Sequence, residues 1–203
     1  SRNVGILRAK KSNIDGYLLF IDSDDWLADN KVLEELSNFI TQNNYPDVIT
    51  MGYQYFMNNK IQGSFISTYD NKLDLFKADG KTMCAVWCKC FKVSVAPLFE
   101  YNTLMEDRNY HYRLINRCIS YANFKRITHT WNKMNTKSIT ADINQIYKSE
   151  LQCPIIWDNC SRRHVAGMLD ILNELKDGEY KKYIREKIQR CEENIRKGIH
   201  QQL

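Results

Sequence analysis

The chain has 203 residues, a net charge of +5 and 43% hydrophobic residues, enough for one substantial core with a small appendage. It contains no apolar run approaching the roughly 20 residues of a spanning helix, and its first residues show no signal-peptide core. Seven cysteines (Cys84, Cys88, Cys90, Cys118, Cys153, Cys160 and Cys191) form an odd set without repeating spacing, which favours reduced thiols and a cytoplasmic protein over a disulfide framework.

Residues 1–16 read as the end of a loop, a short helix and its exit. The apolar run Tyr17 to Ile21 reads as a buried strand that delivers three carboxylates, Asp22, Asp24 and Asp25, to one spot. In open α/β sheets ligands bind just beyond the carboxyl ends of strands. Clustered hard oxygens there suit Mg²⁺ or Mn²⁺, an ion that keeps positions open for phosphate oxygens. Asp-Ser-Asp-Asp is also a turn and helix-cap pattern. The two readings coexist if Asp25 or Asp29 caps a helix while Asp22 and Asp24 face a metal.

Asp29 to Asn43 carries Val32, Leu33, Leu36, Phe39 and Ile40 at helical spacing, and Asn44-Tyr45-Pro46-Asp47 ends it. Asp47 to Phe56 reads as a strand, with Ile61 to Tyr69 as its hairpin partner across Asn58-Asn59-Lys60. Leu73 to Asp79 is a short helix, and Ala85 to Val93 a strand or its approach. Cys84, Cys88 and Cys90 lack the further paired ligands of a structural zinc site. Pro97 to Asn102 is a loop leading to Glu106-Asp107, which begins a helix whose buried face is Tyr110, Leu114, Ile115 and Cys118. Ile119 to Trp131 contains a strand. Ile143 to Met168 reads as helical with a break at Pro154, continuing to Leu175 and ending at Lys176-Asp177-Gly178. Tyr180, Ile184, Ile188, Cys191, Ile195 and Ile199 then form an apolar stripe on a charged helix. This stripe needs a cover: the domain itself, a second copy of the chain, or a membrane surface. The basic face around Arg162-Arg163, Lys181-Lys182 and Arg185 to Lys197 is either simply solvated or attracts lipid headgroups, nucleic acid or a nucleotide.

Four segments occur in an order that resembles the inverting glycosyltransferases of family 2, which have the GT-A fold. They are Ser-Arg-Asn-Val-Gly (1–5) running through Ala9 and Gly16-Tyr17 to Asp22-Ser-Asp-Asp-Trp26; Trp87-Cys-Lys-Cys-Phe-Lys92; Met105-Glu-Asp107; and Trp131-Asn-Lys-Met-Asn-Thr-Lys-Ser-Ile-Thr140. The sequence departs from the pattern in extra loop residues at Lys10 to Asp15, in Cys88 and Cys90 where Asn and Leu are usual, and in Lys133 where an Arg is common. The resemblance covers residues 1–140 and implies a mixed α/β GT-A core there, followed by a helical segment over residues 141–203. Family members carry a strand, helix and further strands before this point, so the chain is expected to be truncated, incompletely recorded or a fragment.

The resemblance implies a nucleotide-sugar donor and a glycan, lipid-linked or protein acceptor, with a nucleic-acid acceptor as a remoter choice. Arg2, Asn3, Asp22 and Lys133 would lie at the donor; Asp24, with Asp22, would hold Mn²⁺ or Mg²⁺, with His129 as a third ligand. Asp107 would be the base, since inversion requires one on the acceptor side, and Glu106 its neighbour. Lys89 would face acceptor or donor, with Trp87 and Phe91 packing, although alternation alone explains all three. Ser138-Ile139-Thr140 would end a loop folding over the diphosphate. The protein would be cytoplasmic, free or peripheral at the inner membrane face. The acidic strand end also fits a nucleotidyltransferase or metal-dependent phosphohydrolase, and the basic end a non-catalytic binding or assembly module.

Overall fold

The computed structural model describes residues 2–78, 85–100, 106–134, 153–175 and 178–197. The chain divides into two compact units, one of Ser1–Phe99 with Tyr110–Met134 and one of Glu100–Asn109 with Asn135–Leu203.

The first unit is built on a mixed sheet of β1 (Tyr17–Leu19), β2 (Trp26–Leu27), β3 (Val48–Met57), β4 (Lys60–Phe65), β5 (Lys89–Lys92) and β6 (Tyr121–Asn132). The strand order is β1-β5-β3-β6-β2, with β4 paired to β3 beyond β5. The long strands β3 and β6 run parallel; every other pair is antiparallel. β1 is shorter than the expected Tyr17–Ile21 and half-buried rather than buried. It lies at the end of the sheet's strand order, so only one side of it is covered by a neighbour.

Helix α1 is Arg2–Lys11. α2 (Val32–Gln42) places Leu36 with Ile49 and Met51 of β3 and Cys90 of β5, flanked by Phe39, Ile40 and Phe124. Its Leu33, expected inward, is 56% exposed. Farther along β3, Tyr53 joins Trp87, Cys88 and Trp131 in a second cluster. The β3–β4 hairpin turns on Asn58 and Asn59, both at positive φ (53° and 58°), a geometry that Asn tolerates and that matches strand twist. Gly52 is needed where β3 is pinched: a Cβ there would stand 2.7 Å from the Phe65 carbonyl oxygen and 2.9 Å from that of Arg126.

α3 (Lys72–Lys77) is capped by the Asn71 side chain, which accepts from the Asp74 N–H. A single 3-10 turn (Val86–Cys88) leads into β5. α4 (Glu106–Arg117) buries Tyr110, Leu114 and Ile115, and Cys118 just beyond it, as periodicity predicts, but also Arg108, Asn109, His111 and Tyr112. Asp47 ties the start of β3 to the approach of β6: its carboxylate accepts from Lys92 Nζ at 3.0 Å and from the N–H groups of Ile119 (2.7 Å) and Ser120 (3.1 Å). Burial pushes its pKa up, yet these donors outweigh burial and hold it below the usual range.

In the second unit, α5 (Cys153–Glu174) and α6 (Glu179–Arg196) pack on each other. Pro154 stands in the first turn of α5, where its missing N–H is harmless; the expected helical stretch before it lies outside the described residues. Val165, Met168, Ile171 and Leu175 of α5 are buried, as are Ile184, Ile188 and Cys191 of α6. Of the apolar stripe, Ile184, Ile188 and Cys191 are thus buried, while Tyr180 and Ile195 are half-buried. Ile199 lies outside the described residues. Among the described residues no helix is long and apolar enough to cross a membrane.

Candidate active site

The acidic segment after β1 forms a turn closed by the Asp25 N–H donating to the Asp22 carbonyl at 3.0 Å. Each acid in it meets a different environment. Asp22 is paired with Arg2, whose Nη2 lies 2.7 Å from Oδ1, both side chains partly exposed. The Arg2 guanidinium also lies 5.3 Å from the centroid of the Phe99 ring. A fork held between a carboxylate and an aromatic face, and partly open to water, is suited to phosphate oxygens. Asp24 is partly exposed.

Asp25 points inward. Its carboxylate is 3% exposed, with Oδ2 2.8 Å from His129 Nε2 and Oδ1 accepting from the Asn132 N–H at 2.8 Å. A carboxylate only accepts, so Nε2 of His129 carries the proton. The His129 ring stacks on Trp87 at 4.6 Å. Asp25 and His129 thus lock the acidic turn to β6, with both side chains buried.

Three further residues of interest have local contacts. Asn3 donates to the Phe99 carbonyl (2.9 Å) and accepts from the Phe99 N–H (2.8 Å), so both ends of its amide hold α1 to the loop before α4. Lys89 is 1% exposed, with Nζ on the Ala85 carbonyl at 2.8 Å, so it serves the 3-10 turn rather than a ligand. Lys133 is exposed, its Nζ over the rings of Tyr55 (4.2 Å) and Trp131 (4.3 Å). Ser138 to Thr140 lie outside the described residues.

Among the described residues no group of three or more His, Cys, Asp or Glu is placed to hold a metal ion. With Asp25 and His129 engaged with each other, the donor set fits a different arrangement. Mg²⁺ or Mn²⁺ that serves phosphate chemistry needs only one or two protein carboxylates, the remaining oxygens coming from the ligand and water. Asp24 with Asp22 would supply that many.

In the second unit Glu106 and Asp107 occupy the first turn of α4, both partly buried. Carboxylates there are favoured in ionised form by the helix dipole. The next two residues were not anticipated from sequence. Arg108 is 6% exposed and Asn109 3%. Asn109 Nδ2 donates to Glu100 Oε2 at 2.8 Å, beneath Gly167 of α5, where a Cβ would fall 1.9 Å from that nitrogen. Neither lies on the 3–4 apolar spacing that marks Tyr110 and Leu114, and no other sequence signal identifies them.

The protein is a mixed α/β chain of glycosyltransferase-like fold, consistent with GT-A. The chain is similar to the crystal structure of S. aureus TarS 1-349, a glycosyltransferase, with a TM-score of 0.55 and 14% identity, covering 97% of this chain and 70% of that one. At that identity the likeness is one of fold. No family model and no curated protein sequence matches the chain.

Proposed function

We propose that this chain is the core of an inverting, family 2-like glycosyltransferase that moves a sugar from a nucleotide-diphosphate donor to an acceptor hydroxyl on a glycan, lipid or protein. The observation that carries the reading is the acidic turn itself: in a glycosyltransferase-like fold, three carboxylates follow β1, one of them pinned inward by His129, with Arg2 beside Asp22. Arg2 and Asp22 orient the donor diphosphate, with Lys133 as a further cation. Asp24, assisted by Asp22, would hold Mn²⁺ or Mg²⁺, which when bound neutralises charge on the leaving diphosphate. Asp107 accepts the acceptor hydroxyl proton; the oxygen bonds to the anomeric carbon as the carbon–diphosphate oxygen bond breaks, and configuration inverts. Glu106 helps bind the acceptor.

The test is a panel of nucleotide sugars with Mn²⁺ and candidate acceptors, reading release of nucleoside diphosphate together with glycosylated product. Asp107→Asn is expected to lower turnover by about 10²- to 10⁴-fold, the range of a lost acid–base group, and Asp24→Ala to abolish Mn²⁺-dependent turnover, each in protein that remains folded. Wild-type turnover by Asp107→Asn removes that residue from the mechanism. Release of phosphate or pyrophosphate without sugar transfer would identify a phosphohydrolase or nucleotidyltransferase instead.

A further inference from the structure

The second unit contains a guanidinium with an unusual lack of company. Arg108 is 94% buried by its 6% exposure, its Nε has no hydrogen-bond partner, and among the described residues no carboxylate pairs with it. A buried donor left without a partner costs roughly 1–3 kcal/mol. Close by, His164 of α5 is also 6% exposed with an unpartnered Nε2, and Asn109 leaves its Oδ1 unpartnered. Burial and then the Arg108 charge hold the His164 pKa down to about 4, so the imidazole is neutral and able to donate one N–H. The Arg108 charge is felt on α6 too, at Tyr183 and Cys191. A cation and a neutral donor, buried and unanswered on elements of one unit, are the two halves of an anion cradle.

We propose that Arg108 and His164 form a binding site for a single oxyanion group of the phosphate or carboxylate type, with the guanidinium supplying the charge and the fork and His164 Nε2–H a further hydrogen bond. Asn109 stays outside the anion contact, because its free atom is an acceptor. The site lies one residue along α4 from Asp107, but the binding claim does not depend on sugar transfer, and its readout involves none.

The experiment is titration calorimetry of the whole chain with inorganic phosphate, a phosphodiester and acetate, in a buffer otherwise free of oxyanions. Wild type is expected to bind at least one of them saturably at one site; phosphate alone would assign a phosphate group, and acetate as well a general oxyanion site. Arg108→Met is expected to weaken binding at least tenfold, and His164→Phe by several-fold, while Lys181→Gln on the basic surface leaves it unchanged. If Arg108→Met fails to fold, His164→Phe decides. No saturable binding by wild type, or binding unaltered in the folded variants, overturns the proposal.

Discussion

The acidic turn of the first unit and the first turn of α4 in the second treat buried charge in opposite ways. In the first unit, Asp25 of the turn has His129 and a backbone N–H, and Asp47, at the start of β3, has Lys92 and two. Around Arg108, three polar atoms on three residues have none among the described residues. Satisfied buried groups hold a scaffold in a single arrangement, whereas unsatisfied ones carry a free-energy cost that a ligand can relieve. The contrast separates residues that build the site from residues that wait for something to enter it.

The comparison can be pressed hardest at Asp25. Asp25→Ala strands the His129 N–H and the Asn132 N–H together, at roughly 1–3 kcal/mol for each unsatisfied buried group, so we expect a loss of about 3 kcal/mol in urea unfolding. A loss below about 1 kcal/mol would mean the turn is not anchored there. Acidification probes the other region. The folded pKa of His164 lies near 4, below the ordinary 6.5, so the unfolded state takes up its proton first. The stability this group contributes is complete above about pH 6.5 and falls away toward pH 4, by on the order of 3 kcal/mol. Comparing unfolding of wild type and His164→Phe at pH 7 and pH 4.5 isolates that share; equal pH dependence would show the imidazole to be solvated. The smallest effect belongs to Gly167→Ala. The added methyl would displace the Asn109 amide from Glu100, costing about 2 kcal/mol, offset by about 1 kcal/mol of helix propensity. A net loss near 1 kcal/mol is expected in thermal unfolding, and a gain would show that Asn109 moves aside freely.

Periodicity and turn chemistry made much of the fold readable: α2, the β3–β4 hairpin, the buried face of α4 and the stripe of α6 are local patterns. What was hidden depends on partners far apart in the chain. The bond between Asp25 and His129 spans 104 residues and that between Asn3 and Phe99 spans 96. From sequence, His129 was a candidate third metal ligand and Asn3 a residue at the donor, and neither long-range bond has a local sign. Only the register of β2 on β6, which sets Leu27 opposite His129, brings the imidazole to Asp25. Arg108 was invisible for another reason: a charged residue off the apolar spacing reads as solvent-facing, and nothing local reveals that α5 carries His164 to its side.

Gly52 has a consequence for how far this chain can drift. With the oxygens of two neighbouring strands closing on the space above its α-carbon, even alanine would force the sheet apart at its centre. Descendants of this sequence can exchange most of β3 for other apolar residues, but their repertoire at position 52 narrows to one amino acid for reasons that concern backbone spacing alone.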